Sequence, residues 1–415
     1  MVLNEEIITA IDIGTGKIFG LSGIMKDTGL EVIATDVQTL PEDIVKKGQI
    51  ADSEEVSNCI FSTLQSLKKN VGERIEWVTI GIGGGHLKGS LISKKITIEP
   101  QGREIGDTDF QMLKREIKNA VIAANGTGRK VLYSVPQEYR IDDLSGIKKE
   151  PVGMHGNTLE MKVHIITVDI NQLHNITDCV KNAGAQIENV YPHSWAAAKS
   201  VLSEEEKKVG CLLIDIGKGT TDIAFFSEGS VIMTDSIRVG SGNVDVDLAK
   251  GLHTPVAFAE EIKKKHGWCN YPKMISEKEK ALAENVEIFN LSGKLSRTVR
   301  VEEISRIVYE RMREIFEDFV KHRIEKPALL HTTGAGVIIT GGGAKLKGIT
   351  DLAESVFELP ARTASAKSMF NMDESFQKTE FTTGIGLLML ASKQDRKREK
   401  PDIIEKAKKL LGKWF

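Results

Sequence analysis

The segment Ile7–Gly20 (IITAIDIGTGKIFG) returns later in the chain as Leu212–Phe226 (LLIDIGKGTTDIAFF), with Asp12 matched to Asp215. Each copy reads as a strand of β-branched residues, a glycine-containing turn and a second strand, the pattern of a hairpin. A hairpin that occurs twice predicts two related lobes. The length agrees, since 415 residues exceed one ordinary core and suffice for two domains that share a cleft.

The turns carry the chemistry. In Asp12-Ile13-Gly14-Thr15-Gly16-Lys17 the glycines let the backbone turn tightly and present N–H groups with no Cβ in the way, and the Thr15 hydroxyl and Lys17 ammonium add donors for phosphate oxygens. Asp215, Gly217, Lys218, Gly219, Thr220 and Thr221 repeat the arrangement with more hydroxyls. Asp12 and Asp215, each at a strand end, suit the hydration shell of a magnesium ion. A third turn, Gly341-Gly342-Gly343 followed by Ala344 and Lys345, lies between a strand and a helix and suits the adenosine end of a nucleotide. Any one turn reads equally well as an ordinary connection. Three together point to ATP and Mg2+ held between two lobes. The chain has no G-x-x-x-x-G-K-[ST] loop, and its first two glycine turns join strand to strand, which disfavours P-loop and dinucleotide folds.

Between the repeats the pattern predicts a strand near Leu30–Thr39, a helix over Ser53–Lys69 and a strand Trp77–Ile82. Residues 86–163 read as an inserted unit with a helix at Thr108–Ala123. Helices follow at Asn171–Ala183 and His193–Leu202, then a charged connector Glu204–Lys208. The first lobe is therefore 1–85 with 164–207, and the second begins near 208, with helical periodicity at Ala257–His266 and Glu302–His322.

Net charge is −2, but Lys393–Phe415 holds nine Lys and Arg against four Asp and Glu. The run 393–400 (KQDRKREK) reads as a linker. From Pro401 the apolar residues Ile403, Ile404, Ala407, Leu410, Leu411, Trp414 and Phe415 form one helical stripe, with Lys406, Lys408, Lys409 and Lys413 on or beside the other face. Such a helix either docks on the body or lies on an anionic membrane surface, and the charged run before it together with the terminal Trp-Phe favours the membrane. No apolar run reaches the roughly 18–20 residues of a spanning helix. Four cysteines without C-x-x-C spacing, and a start without the shape of a signal peptide, predict a reduced, cytosolic protein; no nucleic-acid partner is expected.

The three turns resemble the two phosphate signatures and the adenosine signature of the actin, sugar-kinase and heat-shock-chaperone superfamily. Within it, GIGGGHLKG at Gly81–Gly89, VPQEYRID at Val135–Asp142, PVGMHGNTLEMKVHIIT at Pro151–Thr167 and AEEIKKKHG at Ala259–Gly267 look like the FtsA family of bacterial cell-division proteins, from about Ile8 to Leu390 and again in the tail. The resemblance implies an α/β, actin-like two-lobed ATPase fold with a family-specific inserted subdomain and a C-terminal amphipathic helix. It divides the second lobe into a core, 208–254 with 326–392, and a smaller subdomain, 255–325, on which the C-terminal peptide of FtsZ docks. It implies self-association into filaments, contacts of the inserted subdomain with later division proteins, and a place on the cytoplasmic face of the membrane at the division site.

By the same resemblance Glu260 and Lys263 face adenine and ribose, while Gly242 and Asn243 approach the phosphates. A solvated helix pair is the alternative for Glu260 and Lys263. Relatives that hydrolyse ATP place Glu or Gln where this chain has His193, which either positions water or caps and packs the start of its helix. At most a weak ATPase is expected. Two rivals remain at this stage, a pilus-assembly actin-like adaptor and a small-molecule kinase of the same superfamily.

Overall fold

In the computed structural model, which describes residues 6–393 apart from 127, 325–328, 330, 331 and 368, each hairpin sits at the centre of a five-stranded sheet. The first lobe's sheet runs Gln186–Pro192, Trp77–Ile82, Ile7–Ile13, Lys17–Lys26, Gly29–Thr39. The second runs Ala361–Thr363, Val337–Thr340, Cys211–Ile216, Thr221–Ser227, Ser230–Ile237. In both, the hairpin's first strand is antiparallel to its second and parallel to the strand on its other side. The two sheets have one topology, as the repeat predicts. Ser230–Ile237 is an element that the sequence reading does not name.

Every residue of Cys211–Ile216 is buried, and its unbroken apolar run follows from having both faces of the sheet covered. In the first lobe the helix Ser53–Val71 lays Val56, Ile60, Leu64 and Leu67 on the core. The Asp52 side chain accepts from Glu55 N at its start, and Gly72 ends it at φ 81°. Glu204–Val209 is a short helix, closed by a reciprocal Ser203–Glu206 capping box.

The inserted subdomain is an antiparallel sheet in the order Leu87–Thr97, Thr158–Asp169, Arg129–Ile141, Leu144–Ile147. Its core includes Phe110, Leu113 and Ile117 from the helix Asp107–Asn125, packed with Tyr139, Leu159 and Met161. The boundary read at 163/164 falls inside the strand Thr158–Asp169. That strand stays paired with the inserted sheet as far as Asp169, opposite Arg129, and the chain re-enters the first lobe at the helix Ile170–Asn182. The sheet also rests on the second lobe: Gln137 Nε2 donates to Val231 O at 2.9 Å, and His164 Nε2 lies 3.1 Å from Thr234 Oγ1.

In the second lobe Gly242–Leu252, Val256–His266 and Val301–Glu314 pack around Leu248, Ile262, Ile304, Val308 and Met312. The last helix continues into a wider π turn, Ile315–Lys321.

The reading that puts all of 326–392 in the second lobe needs correction at the helix Thr382–Ala391, which packs in the first lobe among Ile8, Ala10, Phe19, Leu21 and Ala196. Its sequence, TTGIGLLMLA, is apolar all round and must be covered on every side. Glycines allow the contact: a Cβ on Gly384 would lie 2.4 Å from the Phe19 ring, and one on Gly386 would lie 1.7 Å from Ala196 O.

Among the described residues no helix is long and apolar enough to cross a membrane. Residues 394–415, all but the first of the expected linker and the whole expected amphipathic helix, lie outside the described residues.

Candidate functional site

The two hairpin turns close with the same bond, Gly14 N to Lys17 O at 3.0 Å and Gly217 N to Thr220 O at 2.8 Å. They stand face to face. A Cβ on Gly219 would lie 2.6 Å from Thr15 Oγ1, and one on Gly16 would lie 3.0 Å from the Lys218 side chain. Between the lobes is a cleft of about 710 Å³. Asp12, Gly14, Thr15, Gly16 and Lys17 line one wall and Asp215, Gly217, Lys218 and Thr220 the other. Gly341, Gly342, Gly343 and Lys345 line it from the third turn, and Glu260 and Lys263 from the helix Val256–His266.

Gly219, Thr221, Gly242 and Asn243 are absent from these walls. Thr221 Oγ1 donates to Val239 O at 2.8 Å, Gly242 N donates to Lys218 O at 2.8 Å, and Asn243 Oδ1 accepts from Gly240 N at 3.1 Å. These residues brace the second turn from behind. Lys263 is nearly buried, with its ammonium 2.7 Å from Asp245 Oδ1 and 3.0 Å from Ser241 O, so it holds the same loop and is no solvated helix partner. Glu260 does meet the cleft. Its carboxyl pairs with Lys264 at 2.7 Å and Lys218 at 3.2 Å; burial alone would raise it, but the two lysines prevail and hold it at about 2.

The site has an excess of buried carboxylate. Burial, then the neighbouring Asp222, pushes Asp215 up to about 7, against a hydrogen bond from Thr383. Burial also raises Asp12, against His193 and Lys17. Burial lowers Lys17 to about 8, and its ammonium lies 3.7 Å from the centre of the Phe381 ring. Lys345 pairs with Glu380 at 2.6 Å. Two desolvated carboxylates at facing strand ends suit a cation, and lysines at the rim suit phosphate oxygens. Among the described residues no group of three or more His, Cys, Asp or Glu side chains could hold a metal. A cation between Asp12 and Asp215 would therefore complete its shell with water or ligand oxygens.

His193 lines the cleft, with Nε2 3.4 Å from Asp12 Oδ1 and without a hydrogen bond. It opens the helix His193–Val201, and its ring fills the space beside Gly81 and Gly83, where a Cβ would come within 2.4 Å. Sequence reasoning missed Asp222, His86, Glu380 and Thr383, all of which line the cleft. Asp222 ends the second turn's own motif, opposite Asp215 in the hairpin, and was open to detection. Glu380 and Thr383 come from a segment with no motif of its own.

A family model described as "Cell division protein FtsA" matches residues 212–386, and one described as "SHS2 domain inserted in FTSA" matches 84–167. The chain is 32% identical over 389 residues to the cell division protein FtsA of Pseudomonas aeruginosa, across 94% of this chain and 90% of that one. It is 30% identical over 421 residues to FtsA of Borreliella burgdorferi, across 100% and 99%, and 26% identical over 423 residues to FtsA of Escherichia coli K12, across 99% and 96%. Among solved structures the PilM–PilN type IV pilus biogenesis complex aligns with a TM-score of 0.65 at 12% identity, covering 93% of this chain and 99% of that one. MreB5 of Spiroplasma citri bound to ADP aligns at 0.55 and 16% identity, covering 94% and 95%. These two share the fold alone, which is actin-like. The inserted subdomain, the second-lobe match and the identity over nearly the whole chain agree: the chain belongs to the FtsA family of cell division proteins.

Proposed function

We propose that this chain binds ATP with Mg2+ between its lobes, assembles into actin-like filaments, and anchors FtsZ polymers to the cytoplasmic face of the membrane at the division site. The observation that carries the nucleotide reading is the apposition of the two turns, with Asp12 and Asp215 at their roots and Gly341–Gly343 closing a third side. Thr15, Lys17, Lys218 and Thr220 would donate to the phosphates. Asp12 and Asp215 would hold a hydrated Mg2+, which neutralises phosphate charge when bound. The adenosine would lie on the third turn, where a bare main chain admits a flat base, with Glu260 at its rim. His193 stands beside Asp12 with a free ring nitrogen, which fits a weak ATPase at most.

Anchoring rests on family membership and on the sequence of the tail. The stripe Ile403, Ile404, Ala407, Leu410, Leu411, Trp414 and Phe415 would enter the acyl boundary while the lysines meet anionic headgroups. One such helix binds reversibly, and filament formation would strengthen it by avidity. The smaller subdomain, 255–325, would take the FtsZ C-terminal peptide, and the inserted subdomain would serve self-association and later division proteins. The kinase rival leaves the tail unexplained, and the pilus rival shares the fold at 12% identity.

The deciding experiment is flotation of the purified chain on anionic vesicles with FtsZ and Mg-ATP. Full-length protein is compared with a chain ending at Lys400 and with Leu410→Glu. The reading requires that the intact protein carry FtsZ upward and that both variants fail. Flotation without FtsZ would reject the FtsZ partnership, and no flotation at all would reject the tail as an anchor.

A further inference from the structure

The loop Gly83–His86 is where the first lobe, the second lobe and the inserted subdomain meet, and His86 is its unexplained member. The imidazole is 4% exposed, lines the cleft, and has an Nδ1 with no hydrogen-bond partner. A buried polar atom left unsatisfied is costly unless something fills its place. Gly84, at φ +88°, puts no side chain beside it, where a Cβ would lie 3.3 Å from Nδ1 and 3.3 Å from Gly48 Cα. Burial pushes the ring to about 4, so at neutral pH it is uncharged, with one nitrogen a donor and the other an acceptor.

The location is specific. The third turn, which suits adenosine, follows Val337–Thr340 on one side of Cys211–Ile216. Gly83 and Gly84 lie on the other side, against Asp222 of Thr221–Ser227, with Gly84 N 3.5 Å from Asp222 Oδ1. The loop that carries His86 therefore lies on the opposite side of Cys211–Ile216 from the third turn. Its backbone belongs to the inserted subdomain: His86 O accepts from Arg129 Nη2 at 2.7 Å and from Asp169 N at 3.1 Å, and the next residue begins the strand Leu87–Thr97. Arg129 Nε donates to Thr167 Oγ1 at 3.0 Å, so the one carbonyl ties together the strands Arg129–Ile141 and Thr158–Asp169. On the second lobe, Gly84 N donates to Ser236 Oγ at 2.9 Å.

We propose that His86 contacts the terminal phosphate of the bound nucleotide through Nδ1, and so makes the setting of the inserted subdomain depend on whether that phosphate is present. This rests on the nucleotide reading above. A triphosphate gives the orphan nitrogen a partner and holds the loop against the second lobe; a diphosphate leaves it without one. His86 acts as a positioning residue that reports the nucleotide state to a surface distant from it.

The test uses the full chain, as wild type, His86→Ala and His86→Asn, with fluorescent analogues of ATP and ADP in Mg2+. Amide exchange of Leu87–Thr97, Arg129–Ile141 and Thr158–Asp169 is followed alongside. Wild type should prefer the triphosphate and show slower exchange in those strands with it. His86→Ala should lose about tenfold of the preference, the worth of one hydrogen bond to a charged oxygen, with ADP affinity within twofold and no exchange difference. His86→Asn, which keeps a polar group near Nδ1, should retain part of both and carries the test if the alanine variant melts early. Unchanged preference and exchange in the alanine variant overturn the proposal, as does equal loss of both nucleotides, which marks a merely structural role. A wild type that binds both nucleotides equally, with no exchange difference, overturns it and leaves the nucleotide reading standing; one that binds neither overturns both.

Discussion

Thr383 Oγ1 donates a 2.7 Å hydrogen bond to Asp215 Oδ2, so a helix packed in the first lobe holds the carboxylate of the second. Burial and Asp222 push Asp215 up to about 7, and this bond works against them. Thr383→Val keeps the volume and removes the donor. If Asp215 orders a hydrated cation, Mg2+-dependent affinity for a fluorescent ATP analogue should fall about tenfold at pH 7, with binding in EDTA changed less than threefold. Equal losses in both conditions would mean that Thr383 shapes the cleft and leaves the carboxylate's role untouched.

Gly219 does not line the cleft, yet it sets the gap between the lobes, because a Cβ there would lie 2.6 Å from Thr15 Oγ1 and 3.0 Å from Thr15 Cβ. Its backbone is not in the left-handed region, so alanine strains the contact and not the turn. Gly219→Ala should push the turns apart at about 1–3 kcal/mol, weakening nucleotide binding tenfold or more in titrations. Adding Thr15→Gly removes the clash along with a phosphate donor. Recovery of most of the affinity in the double variant would establish that spacing matters more than the hydroxyl, and no recovery would reverse that ranking.

Gly386 is where the last described helix meets Ala196 of the helix His193–Val201, and an added Cβ would stand 1.7 Å from the Ala196 carbonyl oxygen. Backbone cannot give way as a flexible side chain can. Gly386→Ala should cost about 3 kcal/mol in urea unfolding, at the upper end of overpacking penalties. Gly128→Ala, where nothing lies within 4 Å, should stay within about 0.5 kcal/mol.

The repeated hairpin made the two lobes legible, because strand, turn and leading aspartate are local patterns and the sheets follow them. The three turns named three separate stretches of the cleft's lining for the same reason. What stayed hidden depends on contacts between distant segments. Lys263 on AEEIK reads as a nucleotide contact by resemblance or else as half of a solvated pair, and only the fold brings Asp245 to 2.7 Å from it. The helix Thr382–Ala391 reads as buried, but being apolar on every side it carries no sign of which lobe it joins. Thr383 reaches the site from that helix and Glu380 from the turn Thr379–Phe381 just before it, so neither had a motif to betray it. The strand Thr158–Asp169 hid the end of the inserted subdomain because its pairing runs on past the composition change.

His164 tests the seam between the inserted subdomain and the second lobe. It is 1% exposed on the strand Thr158–Asp169, with Nε2 3.1 Å from Thr234 Oγ1 on the strand Ser230–Ile237. Burial pushes the imidazole from 6.5 down to about 4, so it is neutral in the fold at pH 7. Between these values the unfolded chain binds the proton and the folded chain does not. The stability tied to this group is therefore complete above about pH 6.5 and is lost as pH falls toward 4. By pH 5 the loss should be about 2 kcal/mol. His164→Gln should be less stable than wild type at pH 7.5, through lost packing and hydrogen bonding, and the gap should narrow by about that amount at pH 5 in urea unfolding. His86, also lowered to about 4, is present in both proteins and cancels from the comparison. A gap that stays constant with pH would mean that water reaches His164 and that the seam opens in solution.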